Sequence, residues 1–407
     1  MSTTPTHSGR PARVLLLSTR RLLPRVPRGC NYEFEDTICE LDDAELHAPS
    51  TPAPASRWAG RVARGALRHL PFLESALPSA SCPVSGQYDL LFVCAQSPMD
   101  LYLLGSLKPW REHCRVAICW IDELWAASVP QRAGELEQMA QFDHIVLGCH
   151  GTVSAVGERV SRPVTYVPPG VDTVRFCPWP DPPARSIDVY NMGRRSPETH
   201  QALLDLAEQR GWFYLYDTVA LGDVHDSRAY RRHVAGLIQR SHFFITNRPK
   251  CNRDDHTRGQ HELGFRFFEG AAAGAVLVGA VPQIEPFETH FGWPDAVTHM
   301  PVGTTDLRPL LELAADPDRC ERIRRRNVLE SLRRHDWLYR WQRILDLAGL
   351  PHTEAMTSRA RRLEQLARVI PDGQPTNASS VGEAPVEARG HHGPRSSGLP
   401  ASRTGTG

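Results

Sequence analysis

The chain has 407 residues, 41% of them hydrophobic, and a formal net charge of +1. That length suits two domains with real cores better than one. The near-zero charge excludes a chain that binds nucleic acid or membrane through a strong overall field.

In chain order, residues 1–11 are polar and Pro-containing and are expected to be disordered. "RVLLLST" (13–19) reads as a short buried strand. Its apolar run is too short for the roughly 7–15 residues of a signal peptide, and no run in the chain approaches the ~20 of a membrane span. "CNYEFEDTICEL" is helical, followed by a strand near Ala44–Ala48. "RWAGRVARGALRHL" (57–70) carries Trp58, Val62, Ala66 and Leu70 at near-helical spacing. It reads first as an amphipathic surface helix and second as a peripheral contact to anionic lipid or an anionic acceptor. "YDLLFVCAQSP" (88–98), "RVAICWIDELW" (115–125), "FDHIVLGCH" (142–150) and "VTYVPPGVD" (164–172) follow as strands with helix-length spacers. Continuous apolar strands alternating with helices predict a parallel sheet covered on both faces.

The Pro-rich segment 175–186 predicts a link between domains. The same rhythm then restarts at 186–195, 212–218, 241–249, 274–282 and 296–301. Ser196, Pro197 and Glu198 predict a helix start and Gly211 its stop. The expectation is an α/β chain of two Rossmann-like, doubly wound domains facing a cleft, at 12–178 and 179–350. Residues 351–407 are expected to be mostly disordered, with "TSRARRLEQLARVI" one further exposed helix. The ten cysteines form no C-x-x-C pair and several sit in apolar runs, which predicts a reduced, cytoplasmic protein.

Ligands of open parallel sheets bind beyond the carboxyl ends of the strands, and diphosphates favour helix N-termini. "HELGFRFFEGAAAG" (261–274) supplies such a junction. A helix from Gly264 to Ala273, stopped by Gly274, places Arg266 and Glu269 on one face at i and i+3. Phe265, Phe268 and Ala272 mark the packed side. A carboxylate there can accept vicinal ribose hydroxyls, and an arginine beside it can pair with phosphate. An ordinary exposed Arg–Glu pair is the plain alternative.

"GFRFFEGAAAGAVLVGA" resembles the R-x-F-E-x-x-A-x-G-A run of two-Rossmann-domain (GT-B) glycosyltransferases, in particular the spore-maturation-protein branch of the group 1 type. "FFITNRP" (243–249), "YVPPGVDTVRFCP" (166–178) and the His335 and Arg340 pair of "RRRNVLESLRRHDWLYRWQRIL" (324–345) extend the resemblance over roughly 160–345. It implies that Glu269 holds the donor ribose, that Gly264 lies under the diphosphate, and that Gly193 and a cation follow the first strand of the second half. Arg194 is the candidate cation there, with Arg195 as its rival. Relatives carry a second Glu eight residues before the ribose-binding one; here His261 stands there, with Glu262 beside it. Relatives also carry a Lys shortly after the Gly-Arg pair; here Lys250 or Arg248 is left to supply that charge.

On the first half, Asp122 is the candidate acceptor-side catalytic residue, next to Glu123, with His150 in an equivalent place. Arg266 is the candidate for leaving-group stabilisation. "RDDH" (253–256) reads as a mobile loop, and neither metal nor cofactor is expected. The function implied is transfer of a sugar from a nucleotide diphosphate donor to an unidentified acceptor, retaining and metal-independent. A nucleotide-sugar epimerase on the same fold and a non-catalytic donor-binding protein remain open alternatives.

Overall fold

The computed structural model describes residues 12–49, 84, 86–105, 109–217, 224 and 226–371. The expectations for 1–11, for 57–70 and for the chain beyond 371 lie outside these residues. Two parallel sheets carry the fold. The first has strands β1 (Val14–Leu17), β2 (Ala44–His47), β3 (Tyr88–Ala95), β4 (Cys114–Ile121), β5 (His144–Leu147) and β6 (Val164–Tyr166), in the order β2-β1-β3-β4-β5-β6. The second has β7 (Ile187–Asn191), β8 (Tyr214–Tyr216), β9 (Ser241–Ile245), β10 (Val276–Gly279) and β11 (Thr298–His299), in the order β11-β10-β9-β7-β8. β1, β9 and β10 are nearly unbroken apolar runs and are buried along most of their length, as strands covered on both faces must be.

The longer helices are α1 (Gly29–Leu41), α2 (Pro197–Arg210), α3 (Ser227–Gln239), α4 (Phe265–Ala272), α5 (Pro317–Arg334), α6 (Trp337–Ala348) and α7 (Glu354–Val369). The start and stop of α2 follow the sequence signals. Ser196 Oγ accepts the Thr199 N–H at 3.1 Å, and Gly211 closes the helix at φ +68.

The second half closes back on the first. Trp337 and Trp341 of α6 enter the core of the first sheet with Phe34, Phe92 and Trp120; Trp337 stacks on Phe34 with centroids 4.4 Å apart. Arg340 reaches the Pro169 carbonyl at 2.9 Å through Nε, and burial lowers its pKa to about 10. His335 is buried, with Nε2 2.9 Å from the His290 carbonyl oxygen and its ring edge-on to Phe268. These two residues therefore tie the closing helices to Pro169 of the first half and to His290.

The further helix expected around 357–370 is α7, with one stripe buried instead of exposed all round. Thr353 caps α7 through the Met356 N–H at 3.2 Å, and Met356, Leu363 and Ala367 bury a stripe against α5 and α6. Arg359 fastens it with bonds of 2.7 Å to both Asp336 and Asp172.

The small residues of α4 let it lie tight on the sheet. A Cβ on Gly270 would stand 2.6 Å from Phe244 Cδ1 and closer still to Leu277 Cδ2. Gly270→Val is expected to overpack this contact at a cost of about 1–3 kcal/mol. Urea unfolding of the variant checks it; unchanged stability would show that α4 can slide.

Candidate functional site

In the second sheet the chain leaves β7 for β8 on one side and returns to β9 on the other. The loops after β7 and β9 thus flank a topological switch point, the usual crevice of a doubly wound sheet. Gly193 and Arg194 occupy the first loop and Lys250 the second. Gly193 takes φ +85, a left-handed geometry suited to glycine, and its N–H donates to Asp217 Oδ2 at 2.7 Å. Arg194 is exposed, and its charge acts on both Glu123 and Cys251. Its rival Arg195 is committed elsewhere, with its guanidinium 5.2 Å from the Tyr216 ring centroid.

Lys250 meets the first half. Its Nζ lies 2.5 Å from Glu123 and 5.3 Å from the Trp125 ring centroid. Burial opposes charge on Glu123, but Lys250 and the Trp125 indole N–H, donating at 3.1 Å, hold the carboxyl below its ordinary range. Asp122 beside it behaves oppositely: burial, then the neighbouring Glu123 charge, push its carboxyl well up. The two adjacent acids at the end of β4 are therefore driven apart in proton affinity.

Gly264 caps α4 and is pressed against the second loop; a Cβ there would lie 2.9 Å from Pro249 Cγ. The α4 N-terminus consequently sits beside Lys250. Arg266 and Glu269 share one face as expected and form an ion pair. Their setting corrects the expectation of a charged face open to a cleft. Glu269 is fully buried and Arg266 keeps 30% of its side chain exposed. Glu269 Oε2 receives Arg266; Oε1 receives Arg231 of α3 and the Cys30 thiol of α1, the latter at 3.4 Å. The physical reason is that α1, from the first half, packs directly on α3.

Arg231 in turn donates to both oxygens of Glu33 on α1, at 3.0 Å each. Neither Glu33 nor Arg231 was singled out from sequence. One signal was present: Arg231 stands in register with Val234, Ala235 and Ile238, on the buried stripe of α3.

The segment before α4 also grips the first half. Glu262 accepts the N–H groups of His150 and Gly151 at 2.8 Å each, and Gln260 accepts the Ala126 N–H at 2.9 Å. Burial raises the Glu262 carboxyl. His150 thus contributes its backbone here, its ring standing edge-on to Tyr166. His261 Nδ1 accepts the Gln283 N–H at 3.0 Å, and burial with the nearby Arg248 lowers its pKa. In 253–256, Asp254 pairs with Arg248 and Asp255 with Arg253. Among the described residues no group of three or more His, Cys, Asp or Glu is placed to hold a metal ion.

Residues 187–346 match a family model described as glycosyl transferase-like, and every one of the donor-side candidates lies inside that span. The match spans the second sheet and the helices that follow it, less than half of the chain. No curated protein matches the chain significantly. Among solved structures, the chain is similar to Anabaena HepE in complex with UDP and glucose. That likeness has 9% identity over 83% of this chain and 99% of that one, at a TM-score of 0.49. An alpha-glucosyltransferase in complex with UDP and a 13-mer DNA shows 13% identity, 83% and 100% coverage, and a TM-score of 0.49. A Burkholderia vietnamiensis trehalose-phosphate synthase shows 12% identity, 82% coverage of each chain, and a TM-score of 0.41. Likenesses this distant assign no residue a role.

Glu269 also makes the structure sensitive to acid. Burial opposes its charge, but Arg266 and Arg231 together depress its pKa from 4.5 to about 2. A depressed carboxylate stabilises the fold above its unfolded pKa and loses that contribution as pH falls through the folded one. Glu269→Gln is therefore expected to be less stable than wild type by about 3–5 kcal/mol at pH 7. The gap should narrow between pH 4.5 and about 2. Chemical unfolding across that range checks it, and a gap independent of pH would contradict the assignment.

Proposed function

We propose that the chain moves a sugar from a nucleotide diphosphate donor to an acceptor, with retention and without metal. The observation that carries this is the gathering of Gly193, Arg194, Lys250, Gly264, Arg266 and Glu269 at the switch point and the α4 N-terminus, inside the glycosyl transferase-like span. The resemblance of "GFRFFEGAAAG" to the spore-maturation-protein branch supports the same assignment.

In this reading Glu269 holds the donor ribose. Its Oε1 stays with Arg231. Its Oε2 accepts from Arg266, which keeps 30% of its side chain exposed. Vicinal hydroxyls take the place of Arg266 on that oxygen, and Arg266 turns to the diphosphate. Charge developing on the leaving diphosphate then meets Arg266, Arg194, Lys250 and the free N–H groups at the start of α4. Each is in place before reaction, so little reorganisation is needed as the bond to the anomeric carbon breaks. Asp122 lies on the acceptor side. A carboxyl raised toward neutrality by burial can hydrogen-bond an acceptor hydroxyl or take its proton.

No helix among the described residues is long and apolar enough to cross a membrane. The nine cysteines among the described residues are all unpaired, which fits a reducing, cytoplasmic setting.

Removing the acid should weaken donor binding about tenfold, the worth of one to two charge-assisted hydrogen bonds. Titration of UDP-, GDP-, ADP- and dTDP-sugars against wild type and Glu269→Ala, with circular dichroism confirming the fold, measures this. Glu269→Gln serves as the milder variant. Undiminished donor affinity in a folded variant would sink the site assignment. Product analysis separates transferred sugar from a free epimer or an unchanged donor.

A further inference from the structure

Arg231 has no part in the sugar transfer described above, yet it is the buried cation that touches the donor-side carboxylate. We infer that Arg231 is a positioning residue for Glu269, set by Glu33 of the first half, so that donor affinity depends on the joining of the two halves. The inference rests on the reading of Glu269 as the ribose-holding acid.

The geometry runs in one direction. Glu33 is clamped from four sides: Arg175 at 3.0 Å, the Trp337 indole N–H at 3.1 Å, the Asp172 N–H at 3.2 Å, and Arg231. It is buried and has no room to turn. Arg231, 1% exposed, spends Nε and one terminal nitrogen on both Glu33 oxygens. A planar guanidinium fixed by such a fork has its remaining nitrogen aimed in a set direction, and that nitrogen meets Glu269 Oε1. The Phe176 ring, 4.9 Å from the guanidinium carbon, closes one face. Glu269 therefore has one oxygen held by Arg231, itself set by Glu33 of the first half, and one oxygen bonded to the partly exposed Arg266.

The other end of the same loop is fixed in the same way. Glu262 sits on the His150 and Gly151 N–H groups of the first half. The run from 262 to 269, which includes the diphosphate-facing Gly264 and the α4 N-terminus, is thus anchored to the first half directly at Glu262 and through Arg231 and Glu33 at Glu269. Parting the halves would release the direction of the Glu269 carboxylate before any contact with the donor is lost. By linkage, whatever the donor gains from joined halves it returns by favouring them.

Calorimetric titration with UDP, GDP, ADP and dTDP tests this on the full chain. Failure of folded wild type to bind any of the four would overturn the donor-site reading and this inference with it. With a binding nucleotide in hand, the informative variants are Glu33→Gln, which keeps shape and removes charge, and Arg231→Lys, which keeps charge and removes the fork. Each is expected to raise Kd about tenfold, the loss of one charge-assisted hydrogen bond's direction, with stoichiometry near one. A purely structural role would lower the stoichiometry and leave Kd alone. Unchanged Kd in the two variants, alongside binding by wild type, overturns the inference while leaving the donor site standing. Hydrogen exchange on wild type needs no variant: the bound nucleotide should slow exchange in Gly29–Leu41 of the first half. Protection confined to 187–299 overturns it.

Discussion

A single buried guanidinium sets much of this structure. Arg231 lies almost wholly out of water, and an ion in that position costs several kcal/mol unless its donors are met. They are met by two carboxylates from opposite halves of the chain, Glu33 and Glu269. Each carboxylate is buried too, and each needs further donors: Arg175 and Trp337 for Glu33, Arg266 and Cys30 for Glu269. The result is a chain of alternating charges through the interface. Removing Arg231, its central cation, would leave two buried carboxylates without their shared partner.

The remainder of the interface keeps that chain dry. Trp337 donates to Glu33 with its indole nitrogen and stacks on Phe34 with its ring, so one side chain serves the ionic and the apolar parts at once. Trp341 repeats the pattern, with its ring in the same core and its indole N–H on Asp42 at 3.0 Å. The closing helices α5, α6 and α7 are last in sequence, but their apolar faces complete the core beneath the first sheet. A cut between the two sheets would therefore expose tryptophans as well as charges. The halves are distinct in their strands and shared in their packing.

This distinction explains what sequence could show. Strands such as "VLLL" and "AVLVGA" declare themselves because burial on both faces leaves an unbroken apolar run. The start of α2 at Ser196 and its stop at Gly211 are local events, governed by a hydroxyl within reach of a nearby N–H and by a backbone angle suited to glycine. The loops after β7 and β9 could be marked as candidates for a related reason: glycine and cations must follow particular strands if phosphate is to be bound. What was not legible is pairing between distant charges. Arg231 and Arg232 are neighbours of the same type, one buried between carboxylates and the other exposed. Only the first falls on the apolar stripe of α3, and even that says nothing about which acid it meets. Glu33, 198 positions away, lies in a helix with three further acids, of which Glu35 pairs with nearby Arg20 while Asp36 and Glu40 reach Arg228 of the second half.

The same physics accounts for the two charges in α4. A helix of small and aromatic residues packed tightly on a sheet is a poor place for Arg266 and Glu269 unless the site uses them. Arg266 and Arg231 together keep the Glu269 carboxylate ionised where burial alone would neutralise it. An acid held in that state has spare acceptor capacity, since a carboxylate offers about four lone-pair directions. Its tightly held partner comes from within the interface, and its exchangeable partner, Arg266, borders solvent. An acid that only joined the halves would be best covered on both sides by fixed groups. An acid that receives a ligand needs one fixed side for direction and one side that can be vacated, and Glu269 has that asymmetry.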